Sequence, residues 1–237
     1  MVAPGSQAEQ VGRLILAGFL VIALPSLPLG NYLIYPFTIL TTWFHEMGHG
    51  LTAMALGFDF QRLVILSNGS GYAESLYPGD PGALKRAAVA AGGPLAPAVF
   101  GSLLILASAR RKFWRPALYA LAGLLILSVV IWVRSWTGLS VLPLVALALL
   151  AIAQRASNYW TRFTLQFLGV LGALSMFQQW DYLFTEQARI GGQTMLSDTG
   201  AIEASLLLPH WFWALAIIAL AGLMIGASLK YALSHQR

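Results

Sequence analysis

The sequence predicts an all-α polytopic membrane protein: six to seven transmembrane helices, with a short β-hairpin after the second. Three observations lead there. Only 10% of the residues are charged and 58% are hydrophobic, with a mean hydropathy of +0.71. A soluble domain of this length carries about 25% charge, so this chain lacks the polar surface for a water-facing shell and must face lipid. Apolar runs of about span length punctuate the chain throughout. One connection between runs carries the alternation and the Asn-Gly turn of a hairpin.

The runs cover residues 11–29, 32–56, 87–109, 114–133, 139–153, 163–183 and 211–233. The first and fifth have the weakest claim to cross. Arg13 followed by 14–24 has the charge and apolar length of a secretory signal. The Pro25-Ser26-Leu27-Pro28 stretch after it has no small-x-small cleavage site, so it reads as a retained helix. The hairpin lies within 57–86, with Asn68-Gly69-Ser70-Gly71 between β-branched and alternating residues. Residues 184–208 are polar and less patterned. No repeat or low-complexity tract stands out, and the chain forms a single membrane-embedded domain over 1–237.

The net charge of +5 does not indicate nucleic acid. The basic residues fall in short gaps between apolar runs, where anionic headgroups and the positive-inside rule account for them. The densest gap, Arg110-Arg111-Lys112-Phe113-Trp114-Arg115, argues for a cytoplasmic loop after the third span; Arg62, Lys85 and Arg86 fall opposite. The chain has no cysteine, which removes disulfides, thiolate metal sites and cysteine nucleophiles.

Chemistry concentrates in His45-Glu46-Met47-Gly48-His49. On a helix, residues four apart lie about 40° apart and one turn along the axis, so both imidazoles reach one metal ion. Glu46 stands beside the pair, where its carboxylate can take a proton from water activated by the metal and pass it to a leaving amine. Zn2+ suits imidazole and carboxylate ligands with no redox demand. A chance match has a rate on the order of 10⁻³ with so few histidines. Ionisable residues in a membrane helix are also expensive, at about 2.5–3.5 kcal/mol for a central charge, and metal coordination offsets that cost. Gly48 and Gly50 suit close helix packing.

A third ligand is needed. Asp181 ends the sixth run between Trp180 and Tyr182, and an acid at such a position is a functional candidate. Asp198 is the rival; its other reading is the N-cap of a helix beginning near Gly200. A continuous sixth helix would carry Asp181 to the depth of the histidines, whereas Asp198 requires the chain to fold back into the membrane. The expected metal set is His45, His49 and Asp181.

At these residues the chain resembles the M50 family, the site-2 protease type of intramembrane zinc metalloproteases, in the M50B-like branch without a PDZ domain. The resemblance rests on Phe44 to His49, on the Asn68-Gly69-Ser70-Gly71 hairpin, on Ala91-Gly92-Gly93-Pro94 opening the next helix, and on a late aspartate. It spans about 35–205. It implies His45 and His49 as zinc ligands, Glu46 as general base, and hydrolysis of peptide bonds in membrane-embedded protein or peptide substrates. The family's aspartate stands in a Leu-Asp-Gly or Asn-Pro-type context, and Trp180-Asp181-Tyr182 departs from it. A hairpin after the motif is expected to present the substrate by edge pairing, here through 64–70, with Asn68 and Gly69 at the substrate. The expected setting is the plasma membrane of a bacterium. The alternative is a zinc-binding membrane scaffold or regulator without proteolytic activity; a transporter would need inverted halves, which the sequence lacks.

Overall fold

The computed structural model describes residues 7–178 and 180–234. In chain order they form α1 (Gln7–Ala23), a 3-10 turn, α2 (Gly30–Ala55), a hairpin of β1 (Asp59–Ile65) and β2 (Gly71–Leu76), α3 (Ala83–Ser108), α4 (Arg111–Ile131), α5 (Trp136–Arg155), α6 (Asn158–Gln178), the single turn α7 (Trp180–Leu183), a second hairpin of β3 (Gln187–Ile190) and β4 (Gln193–Leu196), α8 (Asp198–Leu206) and α9 (His210–Ser234). The seven long helices match the seven apolar runs. Five of them, α1 with its turn, α3, α4, α5 and α9, are long and apolar enough to cross a membrane. The other two, α2 and α6, are as long but less apolar because they carry the polar residues described below.

The helices expose Val130, Leu144 and Leu223 at 65–72%. Such side chains cover the outside of the bundle, where only lipid satisfies them. The protein is a multi-pass integral membrane protein. Prolines inside α2, α3, α4 and α5 leave those helices continuous; in a membrane, neighbouring helices re-satisfy the freed carbonyls.

α3 is the central helix, packed on α2, α6, α8 and α9. Its contact with α2 runs through Gly48 and Gly92: a Cβ on either would strike the other's backbone. Backbones that touch in this way hold the motif face of α2 directly on α3. Trp43 and Phe44, fully buried beside the motif, pack on Phe100 of α3, and Trp43 Nε1 donates to Ser128 Oγ of α4 at 2.8 Å.

The first hairpin forms where the Asn-Gly turn predicts it. Asn68 Oδ1 accepts the Ser70 N–H at 3.1 Å and closes the turn. The pairing runs Leu63↔Ala73, Val64↔Tyr72 and Ile65↔Gly71. Arg62 and Glu74 pair across the strands at 2.7 Å, and those hydrogen bonds hold the Glu74 carboxyl below the usual carboxylate range. The outer edge of β1 is already used. Leu63 N–H donates to the Trp132 carbonyl and Arg134 N–H to the Leu63 carbonyl, both at 2.9 Å, while Ile65 N–H donates to Ser135 Oγ. Among the described residues the outer edge of β2 pairs with no other backbone.

The second hairpin was not legible. Its Ile190-Gly191-Gly192-Gln193 turn lies in the segment read as unpatterned, because four-residue strands with exposed faces show no period.

Candidate metal centre

The His45 and His49 rings lie on one face of α2, with centroids 5.0 Å apart and Nε2 atoms 3.2 Å apart. His49 Nδ1 stands 2.8 Å from the Val89 carbonyl of α3. A carbonyl only accepts, so Nδ1 carries the proton and the Nε2 lone pair faces the site. Gly93 makes this possible, since a Cβ there would overlap the His49 imidazole.

The third group is Asp198. Its Oδ2 lies 2.9 Å from His45 Nε2 and its Oδ1 3.2 Å from His49 Nε2. His45, His49 and Asp198 each present a ligand atom within 4.8 Å of the others. Asp181 does not join them. It sits exposed on α7. Where Asp181 was expected beside the histidines, the structure brings Asp198 instead.

The chain does fold back as Asp198 requires, and it covers its own backbone in doing so. Ser197 N–H donates to the Glu186 carbonyl at 2.9 Å, across the base of the second hairpin. Thr199 Oγ1 donates to the Leu183 carbonyl at 2.8 Å. Ser197, not Asp198, caps α8, its Oγ accepting the Gly200 N–H. With Ser197 as the cap, the Asp198 carboxylate is free to face the histidines. Ser-Asp-Thr-Gly is the local signal of such a cap, but it does not reveal where the carboxylate points.

Glu46 is buried on the same helix, and its carboxylate takes a hydrogen bond from the Ala73 backbone N–H of β2. The groups open onto a cavity of about 510 Å³, roofed by both hairpins. Asn68 and Gly69 line it at the first turn, where Thr42 Oγ1 donates to the Gly69 carbonyl. Ala188, Arg189 and Met195 of the second hairpin line it from the other side. Tyr182 was not among the expected site residues. Its ring packs at 73° against His45, with centroids 6.3 Å apart, and it also lines the cavity.

The donor set suits Zn2+. Two imidazole nitrogens and one carboxylate are the ligands of a three-residue zinc site that leaves a position open. Asp198 Oδ2 is buried without a hydrogen bond of proper geometry, although it lies beside His45 Nε2. A buried carboxylate that turns one oxygen to each imidazole, with Oδ2 unsatisfied, has acceptor capacity that a cation satisfies.

A family model described as Peptidase M50B-like matches residues 14–228. The chain belongs to the M50B-like peptidase family. The match spans every element from α1 to α9, including both hairpins and Asp198. No curated protein and no solved structure matches the chain. Membership places this M50B-like chain among intramembrane metallopeptidases, and its His45, His49 and Asp198 form a group that can hold a metal ion.

Proposed function

We propose that this protein is an intramembrane zinc metallopeptidase that hydrolyses peptide bonds in membrane-embedded segments. The observation that carries the reading is the convergence of His45, His49 and Asp198 beside the Glu46 carboxylate, at the wall of a cavity large enough for a peptide segment. His45 and His49 would hold zinc through Nε2 and Asp198 through its carboxylate. When bound, zinc supplies Lewis acidity toward a carbonyl and a water molecule.

The protein's own groups do the rest. Glu46 is the general base: it removes a proton from the attacking water and delivers it to the amine leaving the scissile bond. Burial of Glu46 beneath Gly71 and Ala73 of the first hairpin excludes bulk water and leaves the cavity as the route in. The Ala73 N–H holds the carboxylate in place.

Substrate enters as a strand, because a helical carbonyl is hydrogen-bonded and shielded. The open edge for it is β2, not 64–70. Leu63 turns its N–H and C=O toward 132–134, so its partner Ala73 faces the other way, into the cavity. Ser75, two residues on, shares that side. A substrate strand pairing there runs past Glu46 and the cradle, with Asn68 and Gly69 at its end.

The test is Glu46→Gln in purified protein. It should retain one zinc per chain and lose at least about 10²-fold in cleavage of a membrane substrate, because the amide accepts no proton. An unchanged cleavage rate would sink the mechanism. Zinc in wild type without cleavage of any membrane substrate would favour the binding-only alternative.

A further inference from the structure

At the end of the bundle away from the metal cradle, polar side chains are buried between α1 and α6. Gln10 and Arg13 of α1 are 1% and 5% exposed; Arg162 and Gln166 of α6 are 7% and 1%. Arg13 gives Nη1 to Glu9 at 2.7 Å and Nε to Gln166 Oε1 at 3.1 Å. Its Nη2 and the Gln10 Nε2, both buried, have no hydrogen-bond partner. Arg162 gives its Nε to the Ser108 carbonyl at the end of α3. Its guanidinium lies over the Trp114 ring and that of Arg13 over Tyr159, at 5.2 and 5.4 Å. The two guanidiniums repel each other, and among the described residues Glu9 is the carboxylate that acts on Arg162.

The cluster is thus a buried excess of positive charge with two donors left over. An unpaired buried donor forfeits more than the hydrogen bond it fails to make, and a charged one forfeits most. A water molecule would satisfy the donors but leave the charge; an anionic oxygen answers both. The depth selects which anion. Arg162 is four residues from the start of α6 at Asn158, about 6 Å along the axis, and Trp114, Tyr159 and Trp160 surround that level as interfacial aromatics do. Lipid phosphates lie at this height. Glu9, 22% exposed, stands at the rim, and α1 packs chiefly on α6, so the cluster is reached along the lipid-facing side of α1.

We propose that Gln10, Arg13 and Arg162 form a phosphate site that takes the headgroup of an anionic phospholipid. The site is independent of the metal centre and of any proteolytic activity.

The test uses full-length protein in nanodiscs of phosphatidylcholine, with or without phosphatidylglycerol. Inorganic phosphate at matched concentration forms a third arm. The readouts are lipid retained by native mass spectrometry and the thermal midpoint. Wild type should retain phosphatidylglycerol over phosphatidylcholine by about tenfold, with a saturable rise in midpoint. Gln10→Leu removes the unpartnered donor and keeps a side chain of similar size, so the fold should persist while retention falls several-fold; Arg13→Gln should abolish the preference. Arg115→Gln, which removes a charge at the same end outside the cluster, should leave it intact. The proposal is overturned if Gln10→Leu binds like wild type, or if Arg115→Gln loses as much as the cluster variants. A midpoint rise with inorganic phosphate alone would overturn the lipid as the source and leave a free-anion site.

Discussion

His45 and His49 are four residues apart in one motif, yet their surroundings differ. His49 has its outer nitrogen fixed by the Val89 carbonyl, whereas His45 Nδ1 is buried without a partner. The helical period made the pair legible and made Glu46 legible with it. The third ligand was not, because helix depth is a one-dimensional argument. It assumed that α6 runs unbroken to Asp181 and that a polar segment cannot return to the membrane. The hydrogen bonds of Ser197 and Thr199 to carbonyls of 183–186 remove the second assumption, and Asp198 rather than Asp181 stands beside the histidines. The zinc content of aspartate variants tests the corrected set. Loss of an outer-shell partner typically weakens metal binding about 10–100-fold, so loss of a direct ligand in Asp198→Ala should weaken it by more than about 100-fold. Asp181→Ala should leave it unchanged. Equal zinc affinity in the two variants, measured by competition with a chelator, would remove Asp198 from the site.

At the scale of elements, the first hairpin was legible in its position and turn, but not in which edge it leaves open. Alternation shows which side chains share a face; it does not show that 132–135 pairs with β1, because that bridge joins segments about 70 residues apart. The consequence is specific. A proline at 75 removes an N–H that faces the cavity and spares the ladder to β1, so the hairpin should tolerate it as edge strands do. Ala73 is the poorer choice, since its N–H also holds Glu46. Ser75→Pro should keep full zinc and lower turnover of a membrane substrate, chiefly through a higher KM. Unaltered kinetics would reduce β2 to a wall of the cavity.

The whole molecule has two unlike ends, and its contacts assign every long helix but α2 to them. Arg115 reaches the Gln154 and Ala156 carbonyls, Arg162 the Ser108 carbonyl, Arg13 the Gln166 amide and Arg110 the Tyr231 hydroxyl. The starts of α1, α4 and α6 and the ends of α3, α5 and α9 therefore share one end. Among the described residues it gathers Arg13, Arg110, Arg111, Lys112, Arg115, Arg155, Arg162 and Lys230 against Glu9. The other end mixes Arg62, Lys85, Arg86, Arg134 and Arg189 with Asp59, Glu74, Asp80, Asp181, Glu186 and Glu203. The sequence alone showed the 110–115 gap, and a count of seven spans put Arg155, Arg162 and Lys230 on its side; it did not show that Arg13 joins them. The positive-inside rule predicts that the basic end faces the cytoplasm. The metal centre lies toward the opposite face: Val89, which holds His49, is six residues from Ala83 and nineteen from Ser108, or about 9 Å from one end of α3 and about 28 Å from the basic one. The cavity and both hairpins should then open away from the cytoplasm. A chain without cysteine makes this directly measurable. In intact cells a membrane-impermeant maleimide should label Asp80→Cys, in the exposed loop before α3, and reach Arg111→Cys only after permeabilisation. The reverse pattern would turn the molecule over and place its site at the cytoplasmic face, with the basic end outside against the charge rule.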